Sequence, residues 1–124
     1  RARGRHEEAD SQLDSAHIAA SASGDPGLVA RVATRQGWRA YLQSDYGRAA
    51  ILFREAEQDV FPSGPADVQV QVLDGMGAVN WATGRPAASL EYYRRDWLQF
   101  YEPEEIERRQ ERWRRERAAP GTTV

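Results

Sequence analysis

Cysteine is absent from the chain. That removes disulfide scaffolds, thiolate zinc sites and a cysteine nucleophile, and it suits oxidising and reducing compartments alike. Lysine is absent as well, so all 17 basic residues are arginine. A GC-rich codon bias accounts for this most simply, with avoidance of lysine modification as the functional alternative. Long apolar runs are missing too. The longest, Ala49 to Phe53, falls far short of the roughly 20 residues a spanning helix needs, so no membrane partner is expected. The start of the chain has no apolar signal core. The cytoplasm is the expected compartment, with periplasm or secretion left open. The first residue is arginine rather than methionine, which fits a processed or trimmed product. Excess charge of either sign is small: 17 basic residues against 19 acidic give a net charge of -2. This argues against a generally basic nucleic-acid binder but permits a local patch.

What is present is 124 residues with enough apolar content for one domain. Residues 1 to 6 read as a basic, disordered lead-in. From Glu7 to Ala22, Ala9, Leu13, Ala16 and Ala20 recur at steps of four, three and four, which is helical periodicity. Gly24, Asp25 and Pro26 stop one helix, cap the next and fit its first turn. Leu28 to Gln43 forms the second helix, with Val29, Val32, Ala33 and Ala40 inward. Ser44 and Asp45 turn the chain into a third, carried by Tyr46, Ala49, Phe53, Ala56 and Val60. Phe61 to Pro65 is a loop.

Val68 to Val72 alternates as a strand would, but no other segment offers a pairing partner, so Val68 to Thr83 is assigned to helix. After Thr83 to Pro86, the residues Leu90, Tyr93, Trp97 and Phe100 give a fifth helix an aromatic face. A sixth, charged helix opens at Pro103 and runs to about Ala118, and residues 119 to 124 form a tail that frays. The expected fold is all-α, an antiparallel helical-hairpin array of five to six helices.

Two windows of the sequence match. Gly37, Ser44-Asp45-Tyr46, Ala49 and Phe53 correspond to Gly77, Gly84-Arg85-Pro86, Ser89 and Tyr93, each 40 positions later. A small residue in each helix lets two backbones approach, and the aromatic fills the space beside the crossing. These residues resemble the tetratricopeptide (TPR) family, whose helix-turn-helix unit is about 34 residues long. Gly37, the Asp45-Tyr46 turn, Ala49, Phe53 and Ala56 fit its pattern, while Ala33, Gln36 and Ala40 depart from it. Leu73, Met76 and Gly77 fit in the second window, while Ser89 and Asp96 depart. The resemblance covers residues 30 to 98, with units at about 30 to 60 and 68 to 98 and a capping helix at 104 to 118.

The resemblance implies a concave groove lined by the first helix of each unit. Arg31, Thr34, Trp38 and Tyr41 would face it from one unit, and Gln71, Asp74, Ala78 and Trp81 from the other. Tryptophan, tyrosine and arginine dominate binding energy at interfaces. Such a groove implies a non-catalytic adaptor or scaffold that binds a peptide or partner protein, with no cofactor. Trp38 and Trp81 packed against neighbouring helices is the plainer alternative.

Other chemistry is sparse. His6, Asp10, Asp14 and His17 share one helical face, and those side chains can bind a divalent metal. An exposed polar face explains them as well, and no metal site is expected. Gly75-Met76-Gly77 lacks the rest of a phosphate loop. No Ser-His-Asp arrangement can be argued, and an enzyme is not expected. Six arginines lie between Arg108 and Arg117 and could track phosphates, so the alternative function is an accessory or regulatory domain of a nucleic-acid-binding protein. Glutamates four residues before Arg108, Arg109 and Arg115 instead suit a solvated helix. Self-assembly with a second copy of the chain is a further open partner.

Overall fold

The computed structural model describes residues 2–118. Among the described residues there are six helices and no strand: α1 (Ala2–Ser23), α2 (Pro26–Leu42), α3 (Tyr46–Val60), α4 (Ala66–Ala82), α5 (Pro86–Trp97) and α6 (Pro103–Arg117). The all-α array is as the periodicity implied. Helix α1 begins at Ala2, inside the stretch read as a disordered lead-in, and that reading is corrected over residues 2–6. The expected fraying tail at 119 to 124 lies outside the described residues.

Two of the starts have a capping aspartate as their local cause. Asp25 accepts hydrogen bonds from the Gly27 and Leu28 amides at 3.0 and 3.3 Å, with Pro26 in the first turn of α2. Asp45 accepts from the Arg48 amide at 3.2 Å and caps α3. The valine alternation at Val68–Val72 does not make a strand. In α4, Val68 and Val72 sit one turn apart and both are fully buried, because the i, i+4 spacing puts them on one helical face.

The matched windows fold alike. After α2, the Asp45 amide donates to Ala40 O at 2.8 Å and the Ser44 amide to Tyr41 O at 2.9 Å. After α4, the Arg85 amide donates to Asn80 O at 2.8 Å and the Gly84 amide to Trp81 O at 3.1 Å. Ser44 and Gly84 hold the left-handed backbone of this turn, at φ 62° and 77°, which returns the chain antiparallel.

The helix crossings match too. A Cβ on Gly37 would meet the Phe53 ring at 2.8 Å, and one on Gly77 the Tyr93 ring at 2.7 Å. Phe53 and Ala49 are completely buried, and Ser89 donates to the Gly77 carbonyl at 2.7 Å. Ala40, Ala49 and Met76 cluster with the Phe53 ring, and Ala30, Ala33 and Ala56 form a second cluster with Val60, Val68 and Val72. Small side chains allow close interhelical packing.

Phe100 departs from its expected place. It lies in the turn after α5, 61% exposed, edge-on to Tyr101, so it is not part of the helix's buried face.

Candidate functional site

Helix α6 determines the shape of the site. Among the described residues its backbone comes close to that of α5 alone. Ile106 anchors its first half and is 4% exposed. Further along, large side chains hold α6 away from α4. Trp113 meets Trp81 edge to face at 5.7 Å. The Arg117 guanidinium lies 4.4 Å from the centre of the Trp113 ring and 5.1 Å from that of Trp81. Arg109 sits 3.7 Å over the Tyr101 ring and 3.3 Å from Glu105, tying the α5–α6 loop to the helix.

The gap left beneath α6 is a cleft of about 530 Å³. Trp38 of α2, Asp74 of α4 and Tyr93 and Trp97 of α5 form its floor and sides. Arg109, Arg112, Trp113, Glu116 and Arg117 form its roof. The roof residues are spaced three and four apart, so they form one inward face of α6. Tyr93 and Trp97 stack nearly parallel, with centroids 6.3 Å apart.

At the floor Asp74 neighbours Asp96, which is 8% exposed and whose Oδ1 is buried without a hydrogen-bond partner. Burial, and then Asp74, push the Asp96 carboxyl up to about 7. At neutrality the pair therefore carries less than its full two negative charges, because two adjacent carboxylates cannot both ionise cheaply. Burial likewise raises the Tyr93 hydroxyl above its ordinary value, with Asp74 adding to the effect.

Of the eight residues expected to face a groove, the structure puts Trp38 and Asp74 in this cleft. Trp38 is half-buried and packs edge-on to Tyr41 and Phe53. Trp81 is half-buried under Trp113 and Arg117 and supports the roof. Tyr41 lies between Trp38 and Tyr46. Arg31 is engaged with Asp67 through two contacts of 2.6 and 3.4 Å. Gln71 is exposed and Ala78 half-buried, and neither reaches the cleft.

Thr34 is a correction. It is fully buried and its hydroxyl donates to Ala30 O at 2.7 Å, so it faces packed helices and not an open groove. Tyr93, Trp97 and Trp113, which were not among those eight residues, also line the cleft. The signal that could have found the roof was the inward spacing of 109, 113 and 117, hidden by the density of arginine around it.

The His6, Asp10, Asp14, His17 face is occupied by α2. Gln36 donates to Asp14 at 3.0 Å and its Oε1 lies 3.0 Å from His17 Nδ1. Arg39 donates to Asp10 at 2.7 Å and lies 2.7 Å from His6 Nδ1, and Gln43 donates to Asp10 at 3.0 Å. These contacts make the face a helix–helix interface. Among the described residues no group of three or more His, Cys, Asp or Glu side chains is arranged to hold a metal. No described helix is long and apolar enough to cross a membrane.

No protein-family model matches the chain, and neither the curated proteins nor the solved structures contain a significant match.

Proposed function

We propose that the chain is a non-catalytic, TPR-like adaptor that binds an extended peptide segment of a partner protein in the cleft under α6. The observation that carries this reading is the cleft itself, about 530 Å³ in volume and walled by Trp38, Tyr93, Trp97 and Trp113. A concave surface that sets aromatic rings beside convergent polar groups is a form recognition sites take, and here the four rings stand among Asp74, Arg109, Arg112, Glu116 and Arg117. Aromatic and arginine side chains are also those that carry most of the binding energy where partners meet. The TPR likeness is supported by the repeated turn and by the glycine–aromatic crossing in both hairpins. A nucleic-acid role gains less support, because glutamates lie 3.0 Å from Arg108 and 4.0 Å from Arg115 on the outer face.

Panning a displayed peptide library against the wild-type chain and a Trp38→Ala variant tests the reading. Selected peptides should quench tryptophan fluorescence and lose about tenfold or more in affinity for Trp38→Ala, as hot-spot truncations do. Circular dichroism of the variant checks that it still folds. A library that yields no binder, or binders indifferent to Trp38, would sink the adaptor reading.

A further inference from the structure

The roof and the floor of the cleft differ in charge. Three arginines line the roof, against one glutamate, and Glu116 lies 3.8 Å from Arg117. Arg109 and Arg117 are already braced by aromatic faces, with side chains 27% and 26% exposed. Arg112 is different: it is exposed and lines the cleft, stacks on no ring among the described residues, and acts on Glu105 only through its charge. Trp113 Nε1 is also buried without an acceptor. The cleft thus has more donors than acceptors along its upper wall. On the floor, burial and Asp74 raise the Asp96 carboxyl to about 7, so at neutrality the pair carries less than its full two negative charges. Below the roof, Trp38 and the stacked pair Tyr93 and Trp97 line the cleft, and among the described residues no guanidinium stacks on them.

We infer that the partner segment is acidic, with an aromatic or large apolar side chain seated among Trp38, Tyr93 and Trp97 and a neighbouring carboxylate held by Arg112. This inference rests on the adaptor reading above. Arginine suits the task because its planar fork meets a carboxylate with two parallel hydrogen bonds. Charge matching across such a wall selects partners and speeds encounter more than it adds raw affinity. A basic segment would meet three guanidinium groups at the roof, and like charges brought together across an interface suppress a wrong partner. Arg114, by contrast, is exposed on the same helix but does not line the cleft.

The test is a set of tryptophan-fluorescence titrations of the whole chain. Three short peptides share a central phenylalanine in a glycine spacer and are flanked by glutamates, arginines or serines. A single-stranded DNA oligonucleotide is the fourth probe. The glutamate peptide should bind at least about tenfold tighter than the other two peptides. Arg112→Glu should weaken it about tenfold. Arg114→Glu makes the same change in net charge and should stay within about twofold. Equal binding of the three peptides, or preference for the arginine peptide, overturns the acidic partner and leaves the adaptor reading standing. DNA binding tighter than the glutamate peptide, weakened alike by both variants, overturns the inference in favour of a nucleic acid. Silence from every probe overturns the inference and the adaptor reading together.

Discussion

Gly37 and Phe53 show how closely a single position can be specified. The Phe53 ring occupies the volume a side chain at Gly37 would need, with 2.8 Å left to an added Cβ. Gly37→Leu should therefore cost about 1–3 kcal/mol or more by overpacking, read as a lower urea midpoint at constant m-value. Ala49 is 0% exposed on the facing helix. Ala49→Arg should cost at least as much, since it buries a charge without a partner. Unchanged midpoints for both variants would remove the close helix crossing from the account. Ser44 makes the opposite case. It holds φ 62° where the matched turn has Gly84. A left-handed backbone strains any residue with a Cβ, so Ser44→Gly should raise stability by about 0.5 kcal/mol despite glycine's looser unfolded state. A loss on that substitution would show that the serine contributes something the turn geometry does not reveal.

At the scale of elements, α6 carries the most testable claim. It is held to the hairpins by Ile106, by the Trp81–Trp113 contact and by Arg117 stacked on both indoles. A double-mutant cycle on Trp81 and Trp113 should give a coupling of about 0.5–1.5 kcal/mol, the range of edge-to-face aromatic pairs. No coupling would mean that the two rings are merely adjacent. Removing residues 104 to 124 should expose Trp81, Trp97 and Tyr93 and produce aggregation or a large fall in melting temperature, because terminal units of a helical array need a polar outer cover. A monomeric truncation with an unchanged melting temperature would make α6 an independent arm. Elements were the most legible scale in the sequence. Caps at Asp25 and Asp45, the glycine turns and the inward run Ala49, Phe53, Ala56, Val60 each pointed to the structure found, because their causes are local. The cleft was less legible. Trp38 and Asp74 were among the eight residues that the TPR resemblance implied for a groove, but Trp97 and Trp113 were not. Their surroundings depend on how far α6 stands from α4, and that distance follows from side chains on separate helices. Thr34 failed for the same reason: its helical position was right, but the neighbouring helix that buries it has no signature in its own segment.

For the whole molecule, acid–base behaviour joins the two ends of the array. At the α1–α2 interface, hydrogen bonds from Gln43 and then Arg39 hold the Asp10 carboxyl below its ordinary value. A carboxyl depressed by folding adds stability above its unfolded pKa and loses it as pH falls through the folded one. At the α4–α5 interface the sign is reversed. Asp96 is pushed from 3.8 to about 7, first by burial and then by Asp74. The folded chain then binds a proton that the unfolded chain has already released, so stability declines as pH rises from about 4 to about 7 and levels off above that. Both carboxyls act on Tyr93 of α5, whose hydroxyl is raised by burial first, and the Arg117 charge from α6 opposes that rise. The two trends place maximum stability on the acidic side of neutrality, below the usual range of about pH 5 to 8 or at its lower edge. Melting temperatures across that range should rise on going from pH 8 to about pH 5 and fall again under stronger acid. Asp96→Asn keeps the size without the titration, so it should remove the decline between about 4 and 7 and leave the acid limb intact. It should also be more stable than the wild type at pH 8, where the wild type carries both negative charges. An Asp96→Asn profile parallel to the wild-type curve throughout would show that the carboxyl pair does not hold the proton, and the floor of the cleft would then carry its full negative charge at neutral pH.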